Sequence, residues 1–234
     1  MSRRGMLYGR KSHVSVTGEI KDSWEEIIEN IHAGKAQEFY KVGSWKNIEF
    51  KPGYVSSKVG TLPVQTVPVA IGGFNVNTKS DGSGTCPTSW VFMKATPGHV
   101  PSGKTNDMMP DIINQNVLQF THPYIQNTTS NTSLAVTANK STNKAYYSFL
   151  SANDMNVLYP GLFPDQNSRI RVSTHYGVAV AYVLEDKCRY NSSTDSTWGV
   201  KKDGGFIYYA YADQHYNNGK NPNDVPHSVV CFCL

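Results

Sequence analysis

Only one stretch of this sequence repeats with the period of a helix, and that restricts the chain to a mostly β architecture. Trp24, Ile27, Ile28 and Ile31 fall at i, i+3, i+4 and i+7, the spacing that lines one face of an α-helix. Ser23 and Glu26 stand in capping-box positions, and Gly34 stands where a left-handed residue closes a last turn. The pattern predicts an amphipathic helix over residues 22–34. Beyond it the period falls to two. Residues 39–42 and 47–50 flank Gly43-Ser44-Trp45-Lys46 and read as a short hairpin. Further strands are expected at VQTVPVAIGGFNV (64–76), SWVFMKA (89–95), AYYSFLS (145–151), VAVAYVL (178–184, where a helix is the alternative), FIYYAYA (206–212) and SVVCFCL (228–234).

Punctuation refines this reading. Pro68 argues for an edge position or an irregularity, because proline cannot donate to a ladder. Gly72-Gly73 suggests a bulge or a close backbone approach. Residues 79–84 have turn chemistry, and Asp81-Gly82-Ser83-Gly84 reads as a hairpin tip, since it lacks the acidic alternation of a calcium loop. Residues 107–120 are expected to hold a short helix. Residues 121–144, rich in Asn, Thr and Ser, are expected to be long loops with at most short strands. No repeat or hinge divides residues 19–234, which read as one α+β, mostly β domain of a size common for a single β unit.

Charge narrows the function classes. Arg3, Arg4, Arg10 and Lys11 precede the first acidic residue, Glu19. Removing those four from the 22 basic residues leaves 18, equal to the 18 acidic ones. The body is therefore neutral and lacks the concentrated basic surface that phosphate recognition needs, so nucleic acid is not an expected partner. Residues 1–18 read as an extended basic leader suited to docking on an acidic partner. It has no apolar run behind its charges, and no window of the chain approaches a membrane span. The four cysteines, Cys86, Cys188, Cys231 and Cys233, are too scattered for a disulfide framework and read as free thiols of a protein made in a reducing cytoplasm. On a final strand, Cys231 and Cys233 share one side, with Phe232 on the other.

No catalytic or metal-binding signature stands out, and neither catalytic residues, a metal nor a cofactor is expected. The seven histidines are scattered singly. The nucleophile-elbow, zinc-protease, P-loop and dinucleotide motifs are missing. Sequons at Asn127, Asn131, Asn139 and Asn191 carry little weight in a chain this rich in Asn, Ser and Thr. The candidate ligand surface is aromatic: Trp198, Tyr209, Tyr211 and Tyr216, with Asp213 and His215 supplying polar groups. Such platforms stack on sugar rings or contact proteins.

Taken in order, SWEEIIENIHAGKA, EFYKVGSWKNIEF, VPVAIGGFNV, YYSFLS and SVVCFCL resemble an uncharacterised domain family found in bacteriophage structural proteins and gut-bacterial surface proteins. The resemblance runs over most of residues 20–234. It departs from the family at Ser44, where the family's hairpin has Asp, and around Trp198, the nearest counterpart of a Trp-Trp-Leu-Arg-Ser segment. The resemblance implies a C-type-lectin-like layout: a twisted antiparallel sheet, few helices, and long loops after residue 95 that carry any ligand site. It also implies a virion protein, a tail- or head-fibre-type module for host attachment or protein contacts. Its leader would attach it to other virion proteins, its loops would meet a host-surface glycan or protein, and homo-oligomers, trimers above all, are expected. A carbohydrate-active enzyme and a decoration or adaptor protein are the alternatives.

Overall fold

The structure is a computed structural model that describes residues 17–56, 59–97, 108–127, 138–190, 193–210 and 227–234. The leader residues Arg3, Arg4, Arg10 and Lys11 lie outside them. Residues 18–20 run alongside the first strand, where Trp45 N donates to the Gly18 carbonyl and Ile20 N to the Trp45 carbonyl.

Helix α1 spans Trp24–His32. The Ser23 hydroxyl accepts the Glu26 N–H at 3.2 Å and the Glu26 carboxylate accepts the Ser23 N–H at 2.8 Å. This reciprocal pair satisfies two donors that the first turn leaves open. Ile27, Ile28 and Ile31 are buried, and the Trp24 ring lies 5.2 Å from Trp90. Gly34 closes the helix at φ +70. The expected hairpin over residues 39–50 does not form. Residues 36–39 make a short helix, α2 (Ala36–Phe39), and Tyr40 is buried with its hydroxyl between Asn30 and Asp22. Burial of Tyr40 against α1 wins over local strand pairing.

The strands in chain order are β1 (Trp45–Phe50), β2 (Gly53–Ser56), β3 (Gly60–Leu62), β4 (Gln65–Phe74), β5 (Thr88–Phe92) and β6 (Lys94–Pro97). After the short helix α3 (Asp111–Asn114) come β7 (Phe120–Asn127), β8 (Ala138–Ala145) and β9 (Tyr147–Phe149). A π-helical turn at Asp154–Leu158 and a 3-10 turn at Asn167–Arg169 lead to β10 (Arg171–Ser173), β11 (Ala179–Val180), β12 (Tyr182–Tyr190), β13 (Ser193–Val200), β14 (Phe206–Ala210), β15 (His227–Ser228) and β16 (Val230–Cys233).

Among the described residues one sheet runs β1-β4-β5-β16-β9, antiparallel throughout. A small sheet pairs β2 with β3, and the other large one runs β11-β10-β6-β15-β12-β13-β14, with β7 joining β12 and β8 joining β7. It is mixed, because β10/β6, β15/β12 and β12/β7 are parallel. Strands pass from one sheet to the other at single residues: β5 into β6 through Met93, β15 into β16 through Val229, and β8 into β9 through Tyr146. Such corners let two sheets share one core without a break in the chain. Trp90, Phe92, Phe232 and Tyr147 fill the face of the first sheet on which α1 packs, with the Trp90 and Phe232 rings nearly parallel and their centroids 6.4 Å apart. Each such burial contributes roughly 1.5–3 kcal/mol.

Three further expectations are corrected. Pro68 lies in a central strand, since β4 has β1 on one side and β5 on the other. There it presents only its carbonyl, which accepts the Met93 N–H at 2.8 Å. The polar stretch after residue 120 forms two eight-residue strands, β7 and β8, paired from Phe120↔Ala145 to Ile125↔Ala138 with a register shift between Pro123 and Ile125. Their ladder is made by backbone groups, which polar residues supply as well as apolar ones, and β7 is held on its other side by β12. The helix expected over residues 107–120 shrinks to α3, because Phe120 already begins β7. At Gly72-Gly73 both expected features occur together. The β4/β5 register shifts there, and a Cβ on Gly72 would stand 3.0 Å from the Tyr159 ring.

Candidate functional site

The aromatic surface singled out above is divided by the ladder. Trp198 stands across from Tyr208, and Tyr209 across from Thr197, so Trp198 and Tyr209 alternate along the β13/β14 pair. Trp198 is half-buried against the core, and among the described residues its indole N–H has no acceptor. Tyr211, Asp213, His215 and Tyr216 lie outside the described residues.

An open groove lies elsewhere, where β5 leaves the first sheet. It is lined by Trp45 and Asn47 of β1, Thr66 and Pro68 of β4, the corner residue Met93, and Lys94 of β6, around a cavity of about 470 Å³. The register explains the grouping. Asn47 is opposite Pro68, so the outward-facing positions of β1 and β4 stand side by side, while Ile48 and Val67 point inward and are buried. Asn47 and Thr66 are exposed, and Trp45, Pro68, Met93 and Lys94 are half-buried. Trp45 and Met93 offer apolar surface, Asn47 and Thr66 neutral hydrogen bonds, and Lys94 a positive charge with no carboxylate partner among the described residues. The lining holds neither a carboxylate nor an imidazole, so it can bind but has no acid–base pair. The sequence marked Trp45 only as a turn residue, because the groove joins segments about 20 residues apart.

The acids and histidine that converge lie elsewhere, with His122, Asp154 and Asp186 buried and Glu185 half-buried. His122 of β7 places Nε2 3.0 Å from Asp154 Oδ2, and its Nδ1 is 3.6 Å from Glu185 Oε2 of β12. Asp154 opens the π-helical turn: its carboxylate accepts the Ser151 N–H at 2.7 Å, while the Ser151 hydroxyl accepts the Asp154 N–H at 3.0 Å. Asp186 accepts the Ala152 N–H at 2.6 Å. His122, Asp154 and Asp186 are at most 2% exposed. Burial disfavours charge on His122, yet the charges of Asp154 and Glu185, with the Asp154 hydrogen bond, outweigh it and hold the imidazole up to about 9. Burial pushes Asp186 up to about 7; the Ala152 N–H opposes the shift and the Asp154 charge adds to it. Among the described residues no group of three His, Cys, Asp or Glu side chains is arranged to hold a metal. The three segments are far apart in sequence. The one local hint is Glu185-Asp186, an acidic pair that directly follows the apolar run Tyr182-Val183-Leu184.

A second histidine pair is also internal. Ser173 Oγ lies 3.0 Å from His227 Nε2, and the same oxygen accepts the His175 and Tyr176 N–H groups at 3.2 Å. Both residues are at most 2% exposed, so this hydroxyl holds a turn after β10 and meets no open cleft. Asp81 likewise serves a turn: it accepts the Ser83 N–H at 2.8 Å, which holds its carboxyl below the usual range.

No protein-family model, curated protein or solved structure matches the chain. Among the described residues no helix is long and apolar enough to cross a membrane.

Proposed function

We propose that this chain is a bacteriophage virion structural protein, a tail- or head-fibre-type module whose β body meets a host surface or neighbouring proteins. One observation favours binding over catalysis. Of the convergent titratable groups, His122, Asp154 and Asp186 are buried and Glu185 is half-buried, while the open groove lined by Trp45, Met93 and Lys94 carries neither a carboxylate nor an imidazole. An enzyme acting on carbohydrate needs its carboxylates in the open cleft. An attachment or contact surface needs aromatic area, neutral hydrogen bonds and a little charge.

In this proposal the basic leader docks the body onto other virion proteins, the body has the lectin-like layout that the resemblance implies, and copies assemble as a homo-oligomer, a trimer first among the candidates. The groove joins the Trp198–Tyr216 region as a surface for a host glycan or protein. The proposal assigns no enzymatic step, cofactor or nucleic acid.

Deletion of residues 1–18 tests the docking role. Loss of incorporation into particles, with the thermal transition of the body retained, is the expected result. Normal incorporation of the shortened chain refutes leader docking.

A further inference from the structure

Cys86 and Cys233 are far apart in the sequence and adjacent in the fold. Both are fully buried, and with Phe120 they form a small cluster separate from the main core. The two thiols are neighbours in that cluster. Strand β16 brings Cys233 opposite Ser89, whose hydroxyl lies 3.7 Å from the Cys233 sulfur. Asn77 joins the two cysteines: its carbonyl accepts the Cys86 N–H at 2.8 Å, and its amide lies 3.5 Å from the Cys233 sulfur. Cys231, two residues away, occupies different surroundings, under the charges of Asp154 and Glu185.

One member of the pair lies next to an exposed hairpin tip. Cys86 ends a hairpin whose tip, residues 79–84, is largely exposed. Below that tip the arms are joined by the Thr78↔Thr85 bridge and by the Lys79–Gly84, Cys86–Asn77 and Asn75–Pro87 backbone hydrogen bonds, and Thr78, Lys79 and Ser80 also pair with residues 119–121. Local opening of such a hairpin needs far less than global unfolding. The neighbouring Cys233 thiol, followed by the charge of Lys79, draws the Cys86 thiol below its ordinary value against the effect of burial, whereas burial drives Cys233 well up. The thiolate is the attacking species in disulfide exchange, and Cys86 is the member that forms it.

We propose that Cys86 and Cys233 are a redox-modification site that closes to an intramolecular disulfide when the protein meets a small-molecule disulfide such as oxidised glutathione. The Cys86 thiolate attacks one glutathione sulfur, forms a mixed disulfide and releases one glutathione thiolate. The Cys233 thiol gives its proton to water and attacks the Cys86 sulfur, releasing the second. Two protein thiols are oxidised to one disulfide, and one oxidised glutathione is reduced to two glutathione molecules. The bond would tie the hairpin before β5 to strand β16, across a loop of most of the chain. The inference stands independently of the virion proposal.

The test uses the full chain and a C188S/C231S variant, folded, with oxidised glutathione. The expected result is loss of two free thiols, a mass lower by two hydrogens, a Cys86–Cys233 linked peptide, and a Tm rise of about 10 °C that dithiothreitol reverses. The C86S and C233S variants should gain no internal bond. If C188S/C231S does not fold, peptide mapping of the oxidised wild-type chain decides between the same outcomes. Thiols that stay free in the folded protein while the urea-unfolded chain oxidises, arrest at a glutathione adduct, or a link through Cys231 or Cys188 instead would overturn the proposal.

Discussion

Replacing Asp186 with asparagine should make the protein more stable above neutral pH and leave it nearly unchanged in mild acid. In the fold the Asp186 carboxyl is raised from 3.8 to about 7, chiefly by burial. The folded state therefore holds this proton more tightly than the unfolded chain does. The associated stability is fully present below about pH 4 and is lost as the pH rises through 7. A difference of roughly three pH units corresponds to about 4 kcal/mol. Attraction to the protonated His122 offsets part of the charged-state cost, so a gain of about 2–4 kcal/mol is expected for D186N at pH 8. The asparagine carbonyl can still accept the Ala152 N–H that Asp186 holds at 2.6 Å. Urea denaturation followed by tryptophan fluorescence from pH 4.5 to 9 provides the assay. Wild type should lose stability between pH 4.5 and 7, and D186N should not. Parallel curves for the two proteins, or a D186N that is less stable at pH 8, would refute the reasoning.

His122 adds a second window. Its imidazole is raised from 6.5 to about 9, so its contribution is complete below about pH 6.5 and disappears as the pH passes 9; the residual loss of stability in D186N should fall there. H122A should destabilise by about 3–5 kcal/mol at pH 6, because it leaves Asp154 buried without its cation; a loss under 1 kcal/mol in the same denaturation assay would contradict the ion pair. In the groove, K94Q should weaken binding to anionic glycans on an array at least several-fold with an unchanged Tm, since Lys94 is half-buried and joins no ion pair among the described residues. Equal glycan binding by K94Q and wild type would remove Lys94 from the contact surface.

What the sequence made legible depended on distance along the chain. The helix signal at α1 lies within about a dozen residues: Ser23 and Glu26 cap it and three isoleucines set its face. The runs SWVFMKA and SVVCFCL carried their own strand propensity, but nothing in them announced that Met93 and Val229 would be corners between two sheets. That choice depends on which partners the neighbouring strands offer, and the partners are far away. Residues 121–144 looked like loops because their side chains are polar, yet nearly all of β7 and β8 lies within them and the ladder is made by backbone groups. The same limit applies to sites. Trp45, Pro68 and Lys94 meet only because β1, β4 and β6 converge, and His122 meets Asp154 and Glu185 only through tertiary packing. The aromatic string ending in Tyr216 was visible at once, but the β13/β14 register, which pairs Trp198 with Tyr208 and Tyr209 with Thr197, was not.

Imaging purified virus particles at a resolution that traces side chains tests the central claim most directly. The account predicts symmetric copies of this two-sheet body on the virion, with residues 1–18 buried in a neighbouring protein and the Trp45–Lys94 groove or the Trp198–Tyr216 region turned outward or against a partner. Particles that lack the chain, with the protein found only as a free monomer, would contradict it.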